Sequence, residues 1–140
     1  MSYASQADME LRFSARELVQ LTDRADVPTG EIDVERLAQA AGEADNIINS
    51  YIAVRYDLPL TSIPALLVDL ACDIARFKLY DTGAPEEVRG RYDDAIARLK
   101  AISKGEAVLD IAGREPESRD DQVYADIGDR VMSRDRMRGL

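Results

Sequence analysis

The sequence contains no histidine and no tryptophan, and only one of its 140 residues is a cysteine. Histidine is the commonest general base and a frequent zinc ligand, so its absence excludes the usual serine and cysteine triads and most zinc sites. The sequence also lacks a phosphate-binding glycine loop and a dinucleotide-binding fingerprint. We therefore expect a protein that is not an enzyme and that holds no cofactor and no metal.

The single cysteine, Cys72, lies within the most hydrophobic segment of the chain. One cysteine cannot form an intrachain disulfide, so the cysteine content of the chain gives no indication of an oxidising compartment. Because a thiolate is disfavoured in apolar surroundings, we interpret Cys72 as a small core side chain rather than a reactive thiol. The N-terminal sequence has no basic stretch followed by an apolar run, so we expect no signal peptide or membrane anchor and synthesis in the cytoplasm.

Positive charge is scarce as well, since 18 lysine and arginine residues stand against 27 acidic ones and give a net charge of −9. Such a surface disfavours general binding to a phosphate backbone. It still allows DNA to pass close by, because a negative wall lets DNA slide without sticking. Residues 112–140 carry six basic and seven acidic side chains, so all but one unit of the net charge lies in residues 1–111.

Residues 58–81 are apolar nearly all round, which is typical of a buried helix. The stretch is too short and too charged to span a membrane. Pro64 suits the first turn of a helix, and Thr61 or Ser62 could cap its free N–H groups. We predict a central helix over residues 63–79, around which the other helices pack.

Two short helices are predicted before it from their capping residues. Ser5 with Asp8 forms a loose capping box at the start of the first, and Ser14 with Glu17 forms one at the start of the second. Helices of this length are marginal alone, so we expect both to dock on a larger body.

Two longer helices are predicted from apolar residues that recur at three- and four-residue spacing. The first spans about residues 34–55, with Asp33 as its N-cap, and the second spans about residues 85–104, with Gly105 at its C-terminal end. Small side chains in the first of these would let a neighbouring helix approach closely: Ala38, Ala41 and Ala44.

Asp69 and Asp73 lie four residues apart and therefore share a helix face, where they could act as an acid–base or magnesium pair. We instead interpret Asp73 as paired with Arg76, and Asp69 as facing Arg55 or another basic residue, because such pairs are common on helix surfaces. A carboxylate-dependent hydrolase that uses Asp69 and Asp73 stays open as an alternative.

Residues 112–140 show dense charge and no sustained periodicity, which favours an extended C-terminal tail after a helical body of residues 1–111. The basic run that contains Arg134 and Arg136 would fit an acidic surface on a neighbouring subunit. Apolar residues also punctuate the tail, and four are candidate partner contacts: Val123, Tyr124, Val131 and Met132. The predicted fold is all-α, a small bundle of two short N-terminal and three longer helices with this tail.

Several short motifs run through nearly the whole chain, among them YDLPL at residues 56–60, ACDIAR at 71–76 and GDRVMSRDRM at 128–137. Similar stretches lie at residues 21–24, 63–67, 79–81, 85–89, 91–92 and 95–96. As a set they resemble a family of Mu-like phage and prophage proteins of about this length, usually catalogued as a domain of unknown function. None of the motifs is catalytic, and the loop after Asp23 departs from the family, which is often richer in aspartate and glycine there.

By position and helical architecture this family is similar to the head–tail connector adaptors of tailed phages. The resemblance implies a homo-oligomeric ring, commonly of about twelve copies, beneath the portal protein in the virion. The tail would then contact an adjacent subunit, the portal or the next connector or tail-completion protein. DNA would pass through the channel without specific binding, and no membrane would be involved.

A second interpretation also fits an acidic helical protein. A phage-encoded regulatory module could mimic DNA or sequester a host factor while acting as a monomer or dimer. Such a module would be absent from purified particles, whereas a connector would be part of them.

Overall fold

The computed structural model describes residues 2–80, 82–109 and 111. Within them the chain forms α-helices and no β-strand, which confirms the predicted all-α class. The predicted tail over residues 112–140 lies outside the described residues, so the division into body and tail stays a prediction. The helices in chain order are α1 (Gln6–Phe13), α2 (Ala15–Thr22), α3 (Val34–Ile52), α4 (Ala65–Leu79) and α5 (Glu86–Lys104).

The two short helices begin at the predicted serines. At α1 the Ser5 hydroxyl accepts the Asp8 N–H at 3.2 Å while the Asp8 carboxylate accepts the Ser5 N–H at 3.0 Å, so the predicted capping box is confirmed. At α2 the Ser14 hydroxyl accepts the Glu17 N–H at 3.4 Å. The second half of that predicted box is wrong, because the Glu17 carboxylate instead accepts hydrogen bonds from Arg76 of α4.

The core lies where α3, α4 and α5 pack together. The most extensive contact joins α3 to α4, α5 packs on both, and α1 and α2 pack on this three-helix unit. The predicted central helix α4 packs on α1, α3 and α5 and is joined to α2 by an ion pair. Helix α3 shares the central position, because it contacts α1, α2, α4 and α5. The largest fully buried side chains include Met9, Leu18, Ile48, Ile52, Leu67, Ile74, Leu99 and Ile102.

Three helix boundaries differ from the prediction. α3 ends at Ile52 rather than near residue 55, and α5 begins at Glu86 with Pro85 as its N-cap. α4 begins at Ala65, and its N-cap Pro64 has an extended backbone. No side chain caps α4, so the predicted capping by Thr61 or Ser62 is wrong. The Pro64 ring fixes φ near −63°, a value that a helix also uses, and the ψ of 147° is what places this residue outside the helix.

Two side chains near the end of α3 hold the chain that leaves α5. Gly105 ends α5 in the left-handed conformation, with φ +82°, as its C-terminal position predicted. The Arg55 guanidinium occupies the space that a side chain at this position would need. Tyr56 then accepts the backbone N–H of Leu109 on its hydroxyl at 2.9 Å. The ends of α3 and α5 therefore lie at the same end of the bundle.

Candidate interaction surfaces

A groove of about 380 Å³ lies between α1, α4 and α5, and we call it the mixed-charge groove. Its charged lining is balanced, with three arginines and three aspartates, although the body as a whole is strongly acidic. The charged residues are Arg12, Asp69, Asp73, Arg91, Asp94 and Arg98, and the apolar ones are Leu66, Leu70 and Ala95.

The two aspartates singled out from the sequence both line this groove, and each faces an arginine from another helix. Asp69 pairs with Arg12 of α1, which confirms that its partner is basic but not that it is Arg55. Asp73 lies 3.7 Å from the nearest Arg91 nitrogen of α5. The two carboxylates therefore share a helix face, as predicted, but they are held by different helices.

The predicted pair between Asp73 and Arg76 is wrong. The Arg76 guanidinium lies 4.5 Å over the centre of the Phe13 ring, which turns it toward α1 and α2. There its Nε and Nη2 donate to one Glu17 oxygen at 3.1 and 2.7 Å. Both side chains are largely buried, with 15% of Arg76 and 23% of Glu17 exposed. This ion pair fastens α2 to α4.

Burial raises the pKa of two side chains on α4, Asp73 and Cys72. The pKa of Asp73 is raised because the carboxyl is partly buried, although the charges of Arg91 and Arg76 oppose that effect. Burial also raises the pKa of the Cys72 thiol to about 11, and the side chain is fully buried. The interpretation of Cys72 as a core residue is confirmed.

A second charged surface lies on α3, where Glu35, Gln39 and Glu43 are exposed at four-residue spacing and share one face. We call it the α3 ridge. Within the described part of the chain, neither glutamate of the ridge forms an ion pair. Beside it lies a smaller groove of about 120 Å³ lined by Arg24, Arg36, Gln39, Ala40, Glu43, Lys78 and Leu79.

The structure contains no candidate cation site in the residues that it describes, since no three histidine, cysteine or carboxylate side chains there are placed to hold a metal ion. None of the described helices combines the length and the apolar character that crossing a membrane requires.

Sequence comparison links this helical body to a phage family. Residues 3–125 match the family described as "Bacteriophage Mu, Gp36". The chain belongs to the Mu gp36 family. "Gene product J" of Escherichia phage Mu is 31% identical over 123 residues, which cover 86% of each chain. "Mu-like prophage FluMu protein gp36" of Haemophilus influenzae is 31% identical over 111 residues, which cover 79% of this chain and 77% of that relative.

Membership in the Mu gp36 family confirms the resemblance found in the sequence motifs. All five helices of the described residues lie inside the matched range, and so do the mixed-charge groove and the α3 ridge. These surfaces therefore belong to the part of the chain that aligns with the family.

The tail residues predicted to contact a partner lie outside the described residues, and their roles stay predictions: Val123, Tyr124, Val131, Met132, Arg134 and Arg136. Sequence reasoning also missed the surface on α5. Arg91, Asp94 and Arg98 recur at three- and four-residue spacing, a signal of one shared helix face. Charged positions on a helix usually indicate only a solvated face, so this spacing alone does not predict a groove.

Proposed function

We propose that this Mu gp36-family protein is a head–tail connector adaptor. It would form a ring of about twelve copies beneath the portal protein and join head to tail at the head–tail junction of the virion. The observation that carries the proposal is the family match over residues 3–125, which spans an all-helical body of the kind that the connector resemblance implies. On this proposal the protein is not an enzyme and acts only by assembly.

The arrangement of the charged side chains supports an assembly role. The ion pairs Arg12–Asp69 and Arg76–Glu17 hold α1 and α2 against α4. Among the charges that remain exposed are several on α3 and α5, such as Glu35, Glu43, Asp94 and Arg98, where a neighbouring protein can reach them. Such side chains suit contacts with further copies, the portal protein and the next connector or tail-completion protein.

The acidic body gives the ring a second property. Its negative charge would line a channel through which DNA passes without specific binding, because like charges keep the phosphate backbone from sticking. Neutralising the channel-facing carboxylates should then slow genome ejection. Unchanged ejection in such a variant would contradict this part of the proposal.

The first experiment is native mass spectrometry of the full chain over a concentration series, beside a version that ends at residue 111. We expect a ring of about a dozen copies from the full chain. If the predicted tail contacts a neighbouring subunit, the shorter version should give smaller assemblies. A matched check by circular dichroism shows whether the shorter version keeps its helices.

A regulatory module is the alternative, and the net charge of −9 is the observation that favours it. Such a module would stay a monomer or dimer at every concentration and would bind a host factor. Purified phage particles distinguish the two, because a connector is present in them at a fixed number of copies. Absence of the protein from the particles would overturn the connector proposal.

A further inference from the structure

Copies of this protein repel one another unless opposite charges meet at their contact. Nearly all of the net charge of −9 lies in residues 1–111, so two bodies that approach at random bring like charges together. A surface that presents arginines in an otherwise acidic body is therefore favoured at a contact between copies. The mixed-charge groove is such a surface.

The α5 edge of the mixed-charge groove presents three exposed charged side chains, Arg91, Asp94 and Arg98, of which only Arg91 is in an ion pair within the described residues. Arg98 forms no ion pair within the described residues, and the same is true of Asp94. Arg91 forms ion pairs with Asp73 at 3.7 Å and with Glu87 at 3.8 Å, and 53% of its side chain is still exposed. This edge thus presents the order positive, negative, positive along one helix face.

The α3 ridge presents the order negative, polar and negative, and its Gln39 and Glu43 also line the smaller groove that contains Arg24, Arg36 and Lys78. At 1.5 Å per residue, Glu35 and Glu43 lie about 12 Å apart along α3, and Arg91 and Arg98 lie about 10.5 Å apart along α5. The Gln39 amide stands between the glutamates and can donate to a carboxylate such as Asp94. The two rows therefore match in spacing as well as in charge.

The direction of the helices also fits. Arg55 lies against Gly105 and Tyr56 binds Leu109, so α3 and α5 end at the same end of the bundle and run parallel. Copies related by rotation about an axis along the bundle would place α5 of one beside α3 of the next in the same direction. The groove and the ridge consist of different residues, so their contact is head-to-tail and can close into a ring.

We propose that the α5 edge of the mixed-charge groove binds the α3 ridge of a second copy, with Arg91 against Glu35, Asp94 against Gln39 and Arg98 against Glu43. The inference rests on the proposed function and deepens it, since it names the contact between neighbouring subunits. The occupant is a second copy because the matching row of charges is found on this chain itself.

A charge-swap experiment tests this contact directly. Arg98→Glu and Glu43→Arg are made separately, and self-association is measured for each by sedimentation velocity and native mass spectrometry. Either change brings like charges together and should weaken self-association about tenfold or more. A 1:1 mixture of the two variants should assemble again, because each acidic position 98 can then meet a basic position 43 and the other junctions keep the original pair.

The matched control is Arg89→Glu, which makes the same charge change at an exposed position of α5 outside the groove. It should assemble as the unmodified protein does. Circular dichroism of all variants shows whether the helices are intact, and recovery in the mixture shows that both single variants are folded.

The outcomes separate this contact from the connector proposal. Rings that Arg98→Glu leaves unchanged, or single variants that the mixture fails to rescue, would overturn the contact and leave the connector proposal standing. Pairs or short chains that respond to the swaps would support the contact and count against a closed ring. No self-association of the unmodified protein up to millimolar concentration would also overturn the contact, and particle composition would then decide the connector proposal.

Discussion

Helix α4 carries an apolar stripe and a charged stripe, which have the same residue spacing but make different kinds of contact. Leu67, Ala71 and Ile74 form an apolar stripe in which every side chain is fully buried. Asp69, Asp73 and Arg76 form a charged stripe at the same intervals, and each meets an opposite charge from α1, α5 or α2. The apolar stripe needs only neighbours of suitable shape, whereas each residue of the charged stripe needs one particular partner.

The largest effect should come from the apolar stripe. Leu67→Ala removes a side chain with no exposed surface and should lower the free energy of unfolding by about 2–5 kcal/mol. Denaturant unfolding followed by circular dichroism measures this loss. The control is Leu11→Ala at a side chain that is 84% exposed, where we expect a change within about 0.5 kcal/mol. Equal losses in the two variants would contradict the placement of the core.

A smaller loss should follow from breaking the charged stripe at its most buried member. Arg76→Met keeps much of the side-chain volume over Phe13 but leaves the Glu17 carboxylate without its donor. We expect a loss of about 1–3 kcal/mol, since hydrogen bonds between charged groups are the stronger ones. Arg89→Met at an exposed position is the comparison in the same unfolding measurement. If the two variants unfold alike, the Arg76–Glu17 pair contributes nothing.

Substitution of Asp73 should raise the free energy of unfolding, whereas the two substitutions above should lower it. Its pKa is raised in the folded protein, so the folded state takes up this proton more readily than the unfolded state and the charged carboxylate lowers stability at neutral pH. Asp73→Asn should therefore slightly raise the free energy of unfolding at pH 7. The gain should fade as the pH drops through the pKa of Asp73, where the native carboxyl becomes neutral as well. Unfolding curves from pH 7 to pH 3 measure it, and a loss at pH 7 would contradict the burial argument.

Labelling of Cys72, which is buried on α4 beside the apolar stripe, gives the smallest expected effect. The thiol is fully buried and its pKa is about 11, so a thiol reagent at pH 8 should react only after the protein opens. The labelling rate should be faster in Leu67→Ala than in the unmodified protein. Immediate labelling of the folded protein would show that α4 is less protected than the structure indicates.

The sequence was sufficient to predict each helix but not the partners of the charged residues. Apolar spacing and serine caps are local signals, and they predicted α1 and α2 with the correct N-cap serines. The partners are distant in the chain: Arg12 meets Asp69 57 residues away, and Arg76 meets Glu17 59 residues away. The nearby Asp73 was the obvious partner for Arg76, and it was wrong because the Phe13 ring directs the guanidinium elsewhere.

The same limit applies to the interaction surfaces. The spacing of Arg91, Asp94 and Arg98 is visible in the sequence, but the groove exists only because α1 and α4 pack beside α5. Helix ends were also set by contacts between elements. α3 stops at Ile52, and Arg55, predicted to be helical, instead reaches across to the end of α5. The predicted tail contacts depend on residues beyond the described part of the chain and stay predictions.

The contacts around Gly105 have a mechanical consequence. Arg55 fills the space beside this glycine, and the Tyr56 hydroxyl accepts a hydrogen bond from the backbone N–H of Leu109. The segment that follows α5 is therefore anchored to the α3–α4 loop. A pull on the chain beyond residue 111 would meet this anchor before it could unwind the last turn of α5. The force would then act on α3, which makes its most extensive contact with α4, so the packed bundle as a whole would resist the pull.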